Sequence, residues 1–187
     1  MKIIIDPEVL QRENLTLGEY FVLLMAYTGL NYKESLDSLV AKGKVQPNLF
    51  DKMSVVLSDN DKDYITDILL DSNPRVKQSG MDFNHVAKEM QNIYPAHKKS
   101  GTSYDWRGTT YEIARKLKTT VAVHGFNFTE EEALNATQEY VESFGEDKTK
   151  MRLLKYFILR TDGKNKEIDS SFMTIIENNR YYDNNIR

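Results

Sequence analysis

Histidines and carboxylates are the first side chains to consider for chemistry, because this 187-residue chain contains no cysteine. Asp82, His85 and Glu89 follow one another at steps of three and four residues, which places them on one face of a helix. Such a set could bind a divalent metal ion, but a catalytic ion needs a further strong ligand and an open position. The same spacing is common on solvated helices, so we expect no metal and no cofactor.

A polar loop at residues 97–103, HKKSGTS, has the composition of a phosphate-binding loop but not its order. A Walker loop has two glycines followed by Lys and Ser or Thr, so that backbone amides point at the phosphates. Here a single glycine, Gly101, follows the lysines. With no nucleophile elbow, His-Glu-x-x-His pair or dinucleotide fingerprint either, the sequence predicts a protein that is not an enzyme.

Residues 73–125 form the basic part of the chain, with 9 Lys and Arg against 4 Asp and Glu. The single tryptophan lies there among tyrosines and cations, a combination that can stack on bases and neutralise phosphates. Alternatively, Trp106 and Tyr111 pack in the core and the cations only solvate a helix. The candidate nucleic-acid-binding residues are Trp106, Arg107, Arg115, Lys116 and Lys118, with Lys98 and Lys99 of the preceding loop.

Three consecutive helices are predicted within residues 104–160, and they would position these side chains. The first begins near Thr109 and ends at Gly125, and its predicted apolar face is Tyr111, Ala114, Leu117 and Val121. Thr129 and Glu132 have the spacing of a capping box and open the second helix. The third, at residues 148–159, aligns Lys148, Arg152 and Lys155 in a basic stripe. This stripe either extends the basic surface or pairs with the acidic face of the second helix.

Residues 1–72 are predicted to form a separate module. A capping box of Thr16 and Glu19 opens a helix that ends at Gly29, and helices at residues 31–42 and 61–71 flank a short hairpin between residues 44 and 57. This order, with SLVAKGKV at residues 38–45 and VVLS at residues 55–58, resembles a winged helix-turn-helix module. Such modules bind DNA or protein.

The charge of this module favours a protein partner over DNA. Residues 1–72 hold 7 Lys and Arg against 12 Asp and Glu, a net charge of −5. A surface that binds DNA needs clustered positive charge, because counterion release supplies most of the affinity. The alternative is a packed helical subdomain of a larger fold.

The last part of the chain, residues 161–187, is predicted to be a polar linker followed by a terminal interaction segment. An apolar cluster follows the charged stretch of residues 160–169, and a short amphipathic segment on a tether can dock into a partner's groove. Equally, the cluster could fold back on the chain's own core. The candidate partner-binding residues are Phe172, Met173, Ile175 and Ile176.

Three stretches, YEIARKLK at residues 111–118, FTEEEALNAT at residues 128–137 and MRLLKYFI at residues 151–158, resemble helical proteins of tailed bacteriophages. With a winged-helix-like front end, the layout is similar to phage replication accessory proteins such as replisome organisers and helicase loaders. The resemblance implies a role in DNA replication or transcription and names no catalytic residue.

The sequence therefore predicts a mainly α-helical protein with a winged-helix-like module at residues 1–72, a helical module at residues 73–160 and a tail. We expect a non-enzymatic adaptor that binds a protein and nucleic acid. A virion structural or assembly protein, or an inhibitor of a host protein, is the alternative. The longest apolar runs, such as residues 20–27, are too short to span a bilayer, so we expect a cytoplasmic protein that does not contact membranes.

Overall fold

The structure, a computed structural model, describes residues 6–28, 59–161 and 168–185. This part of the chain is mainly helical, as predicted, and contains one small antiparallel ladder. The chain divides into two compact units, residues 1–72 and 73–187, each with its own hydrophobic core. No helix in the described ranges is long and apolar enough to cross a membrane.

The first unit contains helices α1 (Pro7–Arg12), α2 (Leu17–Thr28) and α3 (Asp59–Asp71). The predicted capping box at the start of α2 is confirmed, because the Glu19 amide donates to Thr16 Oγ1 and the Thr16 amide donates to Glu19 Oε2. An ion pair of 2.7 Å between Arg12 and Asp71 joins α1 to α3. The core residues are Val9, Leu10, Tyr20, Leu24, Ile65 and Ile68.

The helix predicted at residues 31–42 and the hairpin predicted between residues 44 and 57 lie outside the described residues. The winged-helix-like arrangement of the N-terminal module therefore remains a prediction.

The second unit is built from six helices within its described residues: α4 (Pro74–Gln78), α5 (Phe83–Ile93), α6 (Thr110–Ala122), α7 (Glu130–Glu142), α8 (Leu154–Ile158) and α9 (Ser171–Asn185). Strands β1 (Arg160–Thr161) and β2 (Ile168–Asp169) pair antiparallel between α8 and α9. α6 packs against α4, α5 and α8, and α7 packs against α5 and α9. One continuous core lies between these helices.

Local signals explain where α6 and α7 begin. Both open with a capping box, Thr109 with Glu112 and Thr129 with Glu132, and the second of these was predicted. The predicted apolar face of α6 needs one correction, because Tyr111 is exposed and Ile113 is buried in its place. At 100° per residue, position 111 points about 120° away from the centre of the buried face.

The third predicted helix, at residues 148–159, is wrong in extent, since only Leu154–Ile158 is helical. Residues 151–153 are instead irregular, and the backbone groups of Met151 and Arg152 form hydrogen bonds with side chains from distant parts of the chain. The Met151 carbonyl accepts from Lys99 Nζ at 2.8 Å, and the Arg152 amide donates to Tyr140 Oη at 3.0 Å. These long-range bonds replace the intrahelical bonds that a longer helix would make.

The stripe of Lys148, Arg152 and Lys155 therefore does not form on a helix. Arg152 pairs with Asp169 of β2 at 2.8 Å, and Lys155 pairs with Glu112 of α6 at 3.2 Å. The predicted pairing with the acidic face of α7 is not observed for these two cations.

The C-terminal segment folds back on the core, the second of the two alternatives for these residues. Phe172 and Ile176 of α9 are buried, and the Phe172 ring makes edge contacts with Phe128 at 5.0 Å and Phe157 at 5.7 Å. In the C-terminal half of α9, Arg180 donates two hydrogen bonds to Glu132 of α7. α9 is thus part of the second unit.

Candidate nucleic-acid interface

Glu112 connects α6 to α8. Its Oε2 accepts from the Thr109 amide at 3.2 Å and completes the capping box, while its Oε1 accepts from Lys155 Nζ at 3.2 Å. Partial burial alone would raise the pKa of Glu112, but the Thr109 amide and Lys155 hold this pKa below its usual value. The side chain is therefore a carboxylate at neutral pH.

Lys116 and Arg115 lie one turn further along α6, where they extend the positive charge of Lys155. Lys116 Nζ donates to the Leu159 carbonyl at 2.9 Å, beyond the end of α8. Burial is the main reason that the pKa of Lys116 lies below its usual value. The positive charges of Lys155 and Arg115 lower this pKa further, and the Glu112 carboxylate opposes them. Among the described residues, Lys116 and Lys155 thus lie near the Glu112 carboxylate, and Arg115 lies near Lys116.

Two tyrosines border this charge cluster and are open to solvent. Tyr111 is 51% exposed and Tyr156 is 42% exposed. Arg115 Cζ lies 6.0 Å from the centroid of the Tyr111 ring, and Lys155 Nζ lies 5.5 Å from the centroid of the Tyr156 ring. These are cation–π distances. We call this set the α6–α8 surface, and it comprises Tyr111, Glu112, Arg115, Lys116, Lys155 and Tyr156.

Trp106 does not belong to the α6–α8 surface. Its side chain is 6% exposed, and Lys99 Nζ lies 5.0 Å from its ring centroid. The Trp106 carbonyl accepts from the Leu154 amide at 2.9 Å, so this residue packs the loop of residues 97–106 against the start of α8. In this structure the indole face is not open to a base. Trp106 therefore packs in the core, which was the alternative to stacking on bases.

The other candidate residues are distributed around the same loop. Arg107 Nε donates to the Tyr94 carbonyl at 2.9 Å, which fixes that side chain against the end of α5. Lys99 Nζ is held by the Met151 carbonyl. Lys98 is exposed and forms an isolated β-bridge with Asp105. Lys118 is half-buried on α6.

The structure thus brings Arg115 and Lys116 into one site with Tyr111, Lys155 and Tyr156. The sequence left Tyr111 open between stacking on bases and packing in the core, it placed Lys155 on a stripe that could extend the basic surface, and it gave no role to Tyr156. The spacing of Tyr111 and Arg115, four residues apart on α6, is a signal that could have placed Tyr111 in this site.

Two of the three residues with metal-ligating spacing, Asp82 and His85, make structural contacts. Asp82 caps α5 and accepts from the amides of Asn84 and His85 at 3.0 and 3.1 Å. His85 Nε2 contacts Glu130 Oε1 of α7 at 3.2 Å. Across residues 6–28, 59–161 and 168–185, no three His, Cys, Asp or Glu side chains are grouped to hold a metal ion.

The candidate partner-binding residues of the C-terminal segment are largely in the core. Phe172 and Ile176 are buried, and Met173 and Ile175 are partly buried against them. The outer side of α9 exposes a pair of tyrosines instead, Tyr181 and Tyr182, whose ring centroids lie 6.0 Å apart.

Comparison of the chain with models of protein families, with curated proteins and with solved structures found no match.

Proposed function

We propose that this protein is a non-enzymatic adaptor that binds nucleic acid through the α6–α8 surface and a protein through residues 1–72, in DNA replication or transcription. One observation carries the nucleic-acid half: among the described residues, Lys116 and Lys155 lie beside the Glu112 carboxylate, Arg115 lies near Lys116, and two exposed aromatic rings border these charges. Cations of this kind neutralise backbone phosphates, and aromatic rings take up bases.

The protein-binding half rests on the charge and the apolar surface of the first unit. Its net charge of −5 repels phosphates, as the sequence indicates. Leu17 and Phe21, one turn apart on α2, are 53% and 47% exposed. Apolar side chains at helical spacing can anchor a partner's groove. The process itself is proposed from the resemblance of the sequence to phage replication accessory proteins.

The nucleic-acid half is tested by titrating labelled single- and double-stranded oligonucleotides with the full chain at two salt concentrations, read by fluorescence anisotropy. We expect affinity that falls steeply with salt. In the double variant Arg115→Gln, Lys155→Gln, the slope of log K against log salt should fall by about 1.4 on a single strand and about 1.8 on a duplex, if each cation contacts one phosphate.

The matched control is Lys62→Gln with Lys88→Gln, which removes the same charge from two exposed lysines outside the α6–α8 surface. An equal loss of affinity in the control would mean that only the total charge of the chain matters. The assignment of binding to the α6–α8 surface would then be wrong. Circular dichroism checks that all variants fold alike.

Absence of binding by the wild-type chain at low salt would reject the nucleic-acid half altogether. A stable homo-oligomer in size-exclusion chromatography with light scattering, together with no affinity, would favour the alternative of a virion assembly protein. Capture of a single host protein by a monomer would favour an inhibitor.

A further inference from the structure

Tyr111 and Tyr156 are large aromatic residues that are exposed on helices whose other side is buried. Each leaves roughly half of its surface open to solvent, although α6 and α8 both pack tightly on the core through neighbouring residues such as Ile113 and Phe157. A single exposed aromatic residue needs no explanation. Here, however, two exposed rings border one cluster of cations, and each ring has a cation near it. The rings and the cations therefore form one surface.

The two rings are connected through the charge cluster. Tyr111 precedes Glu112, Glu112 pairs with Lys155, and Lys155 precedes Tyr156. Arg115 therefore lies next to the Tyr111 ring, and Lys155 lies next to the Tyr156 ring. Each cation would attract a phosphate beside its ring. This alternation of ring and cation matches a single strand, in which each nucleotide offers a base and a phosphate.

A duplex does not fit the rings in the same way. Bases of a duplex are stacked on one another, and an aromatic side chain reaches a base face only after unstacking, which costs a few kcal/mol per step. Unpaired bases already offer their faces, and stacking on an aromatic ring tolerates any base. The exposed tyrosines thus contribute to binding a single strand and contribute little to binding a duplex.

We propose that the α6–α8 surface binds single-stranded nucleic acid, with Tyr111 and Tyr156 stacking on unpaired bases while Arg115 and Lys155 contact the adjoining phosphates. This inference rests on the proposed nucleic-acid binding and specifies its ligand. Lys116, held at the Leu159 carbonyl, adds positive charge between the two helices.

The test compares a labelled oligothymidylate with a duplex of equal length, using the full chain. The wild type should bind the single strand more tightly. The variant Tyr111→Ala, Tyr156→Ala should lose at least about fivefold in single-strand affinity for each ring. Its salt slope should stay unchanged because neither ring carries charge. Tyr111→Phe with Tyr156→Phe should retain the affinity, since the stacking ring remains.

The matched control is Tyr181→Ala with Tyr182→Ala, which removes two exposed tyrosines from α9. If the duplex is bound as tightly as the single strand, or if the Tyr111 and Tyr156 variant behaves like this control, the inference is wrong while nucleic-acid binding stands. If the wild type binds neither oligonucleotide at low salt, the proposed function and the inference both fail.

Discussion

Glu112 combines two roles that one substitution can separate. Its side chain caps α6 by accepting from the Thr109 amide, and its negative charge lies beside Lys116 and Lys155 of the α6–α8 surface. Gln can take the same capping position as Glu, because the cap needs only an acceptor oxygen. The capping role therefore survives in Glu112→Gln, and the charge does not.

We predict that Glu112→Gln strengthens nucleic-acid binding severalfold at low salt and steepens its salt dependence. The reason is that the net charge of the α6–α8 surface rises by one without a change in its cations. Anisotropy titrations check this, with Glu131→Gln as the control, because Glu131 is an exposed carboxylate in the first turn of α7. Weaker binding by a well-folded Glu112→Gln variant would contradict the electrostatic argument.

The same carboxylate contributes to stability in a defined pH range. The pKa of Glu112 in the folded chain is below its usual value, so its contribution is present above the unfolded pKa of about 4.3 and is lost as pH falls further. Because the side chain is 42% exposed, solvent screens this contribution and it is small.

At the scale of elements, α9 is attached to the second unit by apolar and ionic contacts in different turns. Phe172 and Ile176 enter the core, and Arg180 binds Glu132 with bonds of 2.6 and 2.9 Å. The Arg180 guanidinium is the main reason that the pKa of Glu132 is lowered to about 2, against the opposing effect of burial. The Thr129 amide lowers it further.

We predict that Arg180→Gln lowers the free energy of unfolding by about 1–2 kcal/mol at neutral pH, after allowance for solvent screening. A lowered carboxylate pKa stabilises the fold above the unfolded pKa, and this part is lost as pH falls from about 4.3 towards 2. The difference between wild type and variant should therefore shrink as the pH is lowered into this range.

Urea unfolding at neutral pH and near pH 3 measures this difference. Lys150→Gln is the control, because Lys150 is an exposed cation on the irregular segment before α8. A difference between wild type and Arg180→Gln that stays constant with pH would show that the loss comes from packing of the Arg180 side chain and not from the ion pair.

For the molecule as a whole, the two units differ in charge. Residues 1–72 carry a net charge of −5, and residues 73–187 carry +2. Each unit has a separate core, and the α6–α8 surface lies within the second. Negative charge on the same chain lowers the attraction of a polyanion, to an extent that salt screens.

We predict that residues 73–187 fold alone and bind oligonucleotides at least as tightly as the full chain. Cooperative thermal unfolding followed by circular dichroism tests the folding, and anisotropy at low salt tests the binding. The complementary fragment, residues 1–72, should show no affinity. A fragment 73–187 that unfolds cooperatively but loses the binding of the full chain would place binding residues in the first unit.

The sequence by itself determined those features that depend on neighbours along the chain. The capping boxes of Thr16 with Glu19 and of Thr129 with Glu132 each span four residues, so both were predicted and are confirmed. The mainly helical class follows from the same signals, since helix periodicity and capping are local properties.

Only the tertiary structure decided which side chains meet and which are exposed. Lys155 reaches Glu112 across 43 residues of sequence, and the irregular segment of residues 151–153 is held by the Lys99 side chain and the Tyr140 hydroxyl, not by helical bonds. Such contacts depend on the packing of distant segments, which outweighs local helix propensity. For the same reason Trp106 lies in the core, where its carbonyl accepts from the Leu154 amide.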